Sequence, residues 1–281
     1  MRNPVIATTV LATILLAFSS IAYAQNPLDP NWSLCPQCTT QEEKLAARAE
    51  RARLPFNPHD LSGIWGDNSN RIQLDTDNIP TMTPSGRALW EATETEYTPD
   101  GIAMTNWKDP MLQCDPLGWP RLFTYNYGFE FLHLPERTLQ FFERGHTWRT
   151  IWTDGRPLPE DPDPRILGYS VGRWEEDTFV VDSYGFDDRT WLSEDRRGRT
   201  HGFPHSDALR TVERWTRVDA NTLDVSLTTI DPQIFTAPWV TTGEFFLNPG
   251  TELWEDFCLP SEEIWYLENI IKPASGLPKK E

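Results

Sequence analysis

The stretch from Gly168 to Asp231 constrains this chain most, because β-rich runs alternate with short polar turns and charged residues stand inside runs that would otherwise be core. Gly168-Tyr-Ser-Val-Gly-Arg-Trp174 and Thr178-Phe-Val-Val-Asp-Ser-Tyr184 flank Glu175, Glu176 and Asp177. Three acidic residues cannot continue a buried strand, so the pair predicts a hairpin. The pattern recurs at Arg210 to Val218 and Thr222 to Ile230, around Asp219-Ala-Asn221. There Leu223, Val225 and Leu227 alternate with Asp224, Ser226 and Thr228, the period of a half-buried strand. A third pair, Phe129 to Leu134 and Thr138 to Glu143, brackets Pro135-Glu-Arg137. Successive hairpins with little helical periodicity between them predict an all-β antiparallel meander closing into a lipocalin-like barrel or a sandwich.

Met1 to Ala24 carries one basic residue, Arg2, then an apolar run and Ala22-Tyr-Ala24, the pattern of a cleaved secretory signal. Its removal from a chain with 25 Lys and Arg and 42 Asp and Glu leaves a net charge near −18. Such a surface repels nucleic acid and anionic lipid, so neither is an expected partner, and no membrane insertion is expected after cleavage. The expected location is exported, periplasmic or secreted. The oligomeric state is left open. With 13 Trp, the aromatic load suits a core, and equally a site for a sugar-like or aromatic small molecule.

Residues 25–59 read as an N-terminal arm, 60–271 as the β domain and 272–281 as a flexible tail. Within the arm, Thr40 to Leu54 predicts a helix capped by Thr39 or Thr40, and Asp60 to Trp65 predicts the first strand. Residues 66–128 are polar and Pro-punctuated, with a short helix expected at Pro84 to Thr93. Trp90, Trp107, Trp119 and Phe123 in this segment need burial, which predicts long loops wrapped over one barrel mouth. Cys35-Pro-Gln-Cys38 predicts a local bridge, with Cys114 and Cys258 then pairing to tie the segment before the barrel to the last strand. Four Cys leave three connectivities open.

The succession Asp154-Gly-Arg-Pro157, Gly172-Arg-Trp-Glu175 with Asp177-Thr178 and Val180-Val-Asp182, and His205-Ser206 with Leu209-Arg210 and Glu213-Arg214 resembles a family of exported bacterial β-rich proteins. The resemblance spans roughly Asp60 to Ile271 and implies the same domain. Members often end on Cys-His-Glu-Gly-Asn-Tyr, where this chain has Cys258-Leu-Pro-Ser-Glu-Glu263. Any role for that terminal His is therefore not carried over.

Gly168-x-Ser170-x-Gly172 matches a nucleophile elbow, but Arg173-Trp174 continues a strand where the elbow needs a helix, so a bulge or close backbone approach explains the glycines better. His201 and His205 have i, i+4 spacing, yet Gly202 and Pro204 oppose the helix that would align them on a metal with Asp182 or Glu213. No metal or organic cofactor is expected, for the nucleotide-binding glycine motifs are missing.

Acid–base chemistry is the favoured reading. Asp182, in an apolar strand, needs a partner, and Arg173 on the opposing arm supplies one. Arg210 and Glu213 share the next strand and form a second expected pair. His205 precedes them in a turn expected at the barrel rim, where imidazole suits proton transfer near neutral pH. His205, Asp182 and Glu213 are the candidate catalytic residues. Arg149, Arg173, Arg210, Tyr169, Tyr184 and Trp148 are the candidate substrate contacts. The expected activity is a cofactor-free lyase or isomerase acting on an aromatic or carbohydrate acid. The alternatives are a lipocalin-like binding protein and an envelope structural protein. A cavity holding His205 with a carboxylate marks the first, an apolar cavity the second, and a filled barrel the third.

Overall fold

The computed structural model describes residues 40–66, 78–94, 108–125, 127–194, 201–248, 252–271 and 273. The expected signal segment, Cys35, Cys38, Trp107 and nearly all of the expected tail lie outside the described residues. Nine strands form one sheet in the order β1 (Gly63–Trp65), β2 (Phe129–Leu134), β3 (Arg137–Phe142), β4 (Thr147–Trp152), β5 (Tyr169–Glu175), β6 (Thr178–Tyr184), β9 (Arg210–Arg217), β10 (Thr222–Ile230) and β11 (Trp239–Phe246). A separate pair, β7 (Trp191–Glu194) and β8 (Gly202–Pro204), intervenes between β6 and β9. The three predicted hairpins are all present. The sheet curls until β1 meets the end of β11, where the amides of Gly66 and Asn248 donate to the carbonyls of Phe246 and Ile64 at 3.0 and 2.9 Å.

One junction departs from a pure meander. β4 and β5 run parallel, pairing Ile151 with Ser170 and Trp152 with Val171. A parallel pair needs a crossover longer than a hairpin turn. Residues 153–168 supply it, and the amide of Arg165 donates to the carbonyl of Gly185, just beyond β6, at 3.0 Å.

The period-2 pattern turns one face of each strand inward. Phe129, Phe131, Phe179, Trp215, Leu223 and Phe245 are all buried in a single apolar cluster. Residues 117–124 join it: Trp119 and Phe123 of the expected wrapping segment are buried as predicted, within the core cluster itself. Phe123 sits edge-on to Trp119, Phe129 and Trp215 with ring centres 4.5, 5.1 and 5.3 Å apart. Among the described residues, the inward face of the sheet is thus packed with aromatic and aliphatic side chains. Residues 117–124 are anchored by Arg121, whose buried guanidinium donates to Asp109 from both terminal nitrogens. Tyr125 joins through a hydroxyl bonded to Glu194, and burial first of all pushes that phenol's pKa up.

α1 (Gln41–Arg51) opens on a capping box in which Thr40 and Glu43 satisfy each other's backbone amides. It ends three residues before the predicted Leu54. Arg48 and Arg51 then donate to the carbonyls of Leu247 and Ala220, which fixes the arm to the barrel. α2 (Pro84–Ala92) matches its predicted span and packs near β8. α3 (Pro260–Tyr266) follows Cys258. No helix among the described residues is long and apolar enough to cross a membrane.

Candidate functional site

The strand pleat divides the candidate residues between the two faces of the barrel wall. Arg149 on β4 and Glu213 on β9 point inward and meet. Arg149 Nη1 lies 2.8 Å from Glu213 Oε1, and Nη2 donates to Oε2. Gln140 Oε1 accepts from Arg149 Nε at 2.8 Å, and Trp215 Nε1 donates to Glu213 Oε2 at 2.9 Å. The guanidinium also lies 3.6 Å above the centre of the Trp119 ring. This corrects the expected Arg210–Glu213 pair. It also leaves Arg149 enclosed among side chains, with no open face for a substrate carboxylate.

Asp182, Arg173, Arg210, Tyr169 and Tyr184 lie on the outer face instead. Arg173 Nη1 and Arg210 Nη2 donate to the two oxygens of Asp182 at 2.8 and 2.7 Å. The expected Arg173–Asp182 partnership is present, but half open to solvent rather than enclosed. Burial alone would raise the Asp182 pKa; the hydrogen bonds from Arg173 and Arg210 outweigh it and hold the carboxyl below its ordinary range. Trp148 stands on the outer face of β4, 58 % exposed and near Phe141, apart from this group.

His205 belongs to neither set. It is 3 % exposed, with Nε2 2.9 Å from Thr190 Oγ1 and Nδ1 3.0 Å from the Ser206 carbonyl. A carbonyl only accepts, so Nδ1 carries the proton and Nε2 accepts from the Thr190 hydroxyl. Desolvation lowers this imidazole's pKa, partly offset by the Ser206 carbonyl and by Asp231, Asp188 and Asp187. The turn expected around His205 holds its imidazole enclosed, with both ring nitrogens bonded. Ser206 and Asp231 complete that turn, since the Ser206 amide and hydroxyl both donate to the carboxylate. His201 stacks on Trp90 with ring centres 3.8 Å apart, so the two histidines face different neighbours. Among the described residues no group of three or more His, Cys, Asp or Glu is arranged to hold a metal ion.

One cavity lies at a place the sequence did not single out. Cys114 and Cys258 are bridged, as expected, but Cys258 lies beyond β11 rather than in it. The bridge draws the chain at 256–258 over the β3–β4 turn. There Arg144 Nη1 donates to both oxygens of Asp256 at 3.0 and 2.9 Å, and the Gly145 amide adds a bond at 3.1 Å. Between them opens a cavity of about 410 Å³. Met111, Leu117, Leu122, Leu167 and Phe257 provide its apolar walls, with Thr147, Asp115 and the Arg144–Asp256 pair as polar groups. Arg144 and Asp256 are 112 residues apart, so only the paired cysteines hinted at this meeting.

No protein-family model, curated protein or solved structure matches this chain. What the site does must be argued from its own chemistry. Among the described residues, Glu213 is sealed in the core, His205 is enclosed in its turn, and Asp182 lies on the outer face, so the three candidate catalytic residues do not come together. The disulfide pocket offers shape, apolar surface and a fixed ion pair.

Proposed function

We propose that this is an exported small-molecule binding protein, and that its ligand occupies the pocket beside Cys114–Cys258. The observation that carries the reading is the pocket itself, whose volume of about 410 Å³ falls in the range of ligand sites and whose walls are mostly apolar. A disulfide that closes one wall suits an oxidising compartment, in keeping with the N-terminal signal pattern. Asp115 and Asp256 outnumber Arg144 there, within a chain of formal charge −17. A neutral, largely apolar ligand with a hydroxyl or carbonyl therefore fits this pocket better than the acid first expected. Acid–base turnover by His205 finds little support, because its imidazole is bonded at both nitrogens inside a turn.

A second reading, an envelope assembly protein, is favoured by one observation. The C-terminal stretch exposes Trp254, Ile264 and Trp265 by 70, 59 and 60 %, an apolar surface that contact with another protein would cover.

The test is a thermal-shift screen with neutral phenols and neutral cyclic alcohols, repeated on Thr147→Trp, which fills the pocket. A ligand that binds only the folded protein raises its melting temperature. We expect a shift in the wild type that is lost in Thr147→Trp. A shift that persists undiminished in the variant removes this pocket from the reading, and a screen with no hits favours assembly.

A further inference from the structure

We propose a second binding site, for a ring-bearing carboxylate, in the hollow on the outer face of β5, β6, β9 and β10. The hollow has a volume of about 570 Å³. Strand register places its floor: Asp182 is opposite Val171, while Arg210 lies directly between Tyr184 and Ile230 on the neighbouring strands. The crossover contributes Leu158 as one wall, and Ala208 and Pro232 form another.

A ladder of alternating charge runs along this face to the hollow. Arg214 donates to Glu175, Arg173 donates to both Glu175 and Asp182, and Arg210 donates to Asp182. All three nitrogens of Arg173 are engaged in the middle, Nε and Nη2 on Glu175 and Nη1 on Asp182. Three guanidinium groups against two carboxylates leave an excess positive charge on a protein whose formal charge is −17. The ladder ends in a singly paired arginine on each side, Arg214 and Arg210, and Arg210 is the one that lines the hollow. Arg210 is anchored there through Nη2 alone, and its side chain remains 52 % exposed.

Asp182 therefore orients the Arg210 guanidinium and leaves its remaining donors for an incoming anion. A planar fork of this kind matches a carboxylate with two parallel hydrogen bonds. The Tyr184 ring, Ile230, Val171 and Leu158 give a ring attached to that carboxylate an apolar surface, and the Tyr184 hydroxyl supplies a polar edge. Both an aromatic acid and a sugar acid have this chemistry. The inference stands apart from the disulfide pocket, whose charge has the opposite sign and whose lining residues are different.

The experiment is calorimetric titration of the full mature chain with 4-hydroxybenzoate, with glucuronate and with uncharged 4-hydroxybenzyl alcohol. At least one carboxylate is expected to bind with Kd below about 10 mM, and the alcohol more weakly by about tenfold or more, as expected when one charge-assisted pair is lost. The stronger of the two acids identifies the source. Arg210→Gln is expected to weaken the acid by a similar factor, and Arg210→Lys to restore part of it. Ile230→Trp, which fills the hollow, abolishes binding without touching the charges. Thr147→Trp leaves the titration unchanged, so failure here and failure of the disulfide-pocket reading are told apart. The proposal is overturned if neither acid saturates the wild type, if the alcohol binds as well as the acids, or if folded Arg210→Gln or folded Ile230→Trp binds like wild type.

Discussion

Arg149 and Glu213 meet guanidinium to carboxylate inside the barrel, and their side chains are only 1 and 0 % exposed. Desolvating both charges is costly, and the pair persists because its hydrogen bonds are almost completely used, Gln140 and Trp215 taking the remaining atoms. Removing one partner is worse than removing both. Arg149→Leu leaves a buried, unpaired carboxylate and is expected to cost about 3–5 kcal/mol. The Arg149→Leu/Glu213→Leu double variant is expected to recover most of that loss. Chemical denaturation of the two variants and the wild type measures both; a double variant as unstable as the single would show the pair to be net stabilising.

The Cys114–Cys258 bridge closes a loop with a sequence separation of 144. Constraint of so long a loop in the unfolded chain predicts a loss of about 2–4 kcal/mol for Cys114→Ser/Cys258→Ser. The same change frees one wall of the pocket, so any neutral ligand found in the thermal-shift screen is expected to lose affinity in parallel. Melting temperature with and without that ligand checks both effects.

Acid is expected to weaken the fold partly through His205. Its buried imidazole stays neutral to lower pH than in the unfolded chain, where it titrates at its ordinary value of 6.5. Above that value the contribution to stability is fully present. As pH falls below it, the unfolded chain gains a proton that the folded protein refuses, and stability is lost. His133 has a pKa lowered by desolvation and adds to the same slope. His205→Gln is expected to flatten the dependence of unfolding free energy on pH between neutral and mildly acidic conditions. An unchanged slope would place the acid response elsewhere.

Gly172 marks a close approach inside the barrel. A Cβ there would lie 2.6 Å from Phe179 Cζ and 2.8 Å from Ile151 Cγ2. Gly172→Ala is expected to cost about 1–3 kcal/mol by overpacking, read from the denaturation midpoint. Ser170, two residues earlier, bonds the Ser183 hydroxyl at 2.8 Å in a buried position. The glycine–serine motif thus serves strand packing, and Ser170→Ala tests that with a small stability change.

The local rules written into this chain were sufficient for its elements. β-rich runs around short polar turns foretold β2, β3, β5, β6, β9 and β10, with strict alternation in β10, and Thr40 foretold the start of α1, because turn, pleat and cap depend on neighbours a few residues away. Even the Arg173–Asp182 bond followed from a single hairpin. The sequence could not show which face of a strand is the inside when charges occur on both. Glu213 and Asp182 sit on adjacent strands of similar pattern, yet one carboxylate is sealed in the core and the other is held at the surface. Curling of the sheet made that choice, with residues 117–124 packed into the apolar cluster on its inner side. The pocket walled by Arg144, Asp256 and the disulfide was hidden for the same reason: it exists only where segments far apart in the chain are brought together.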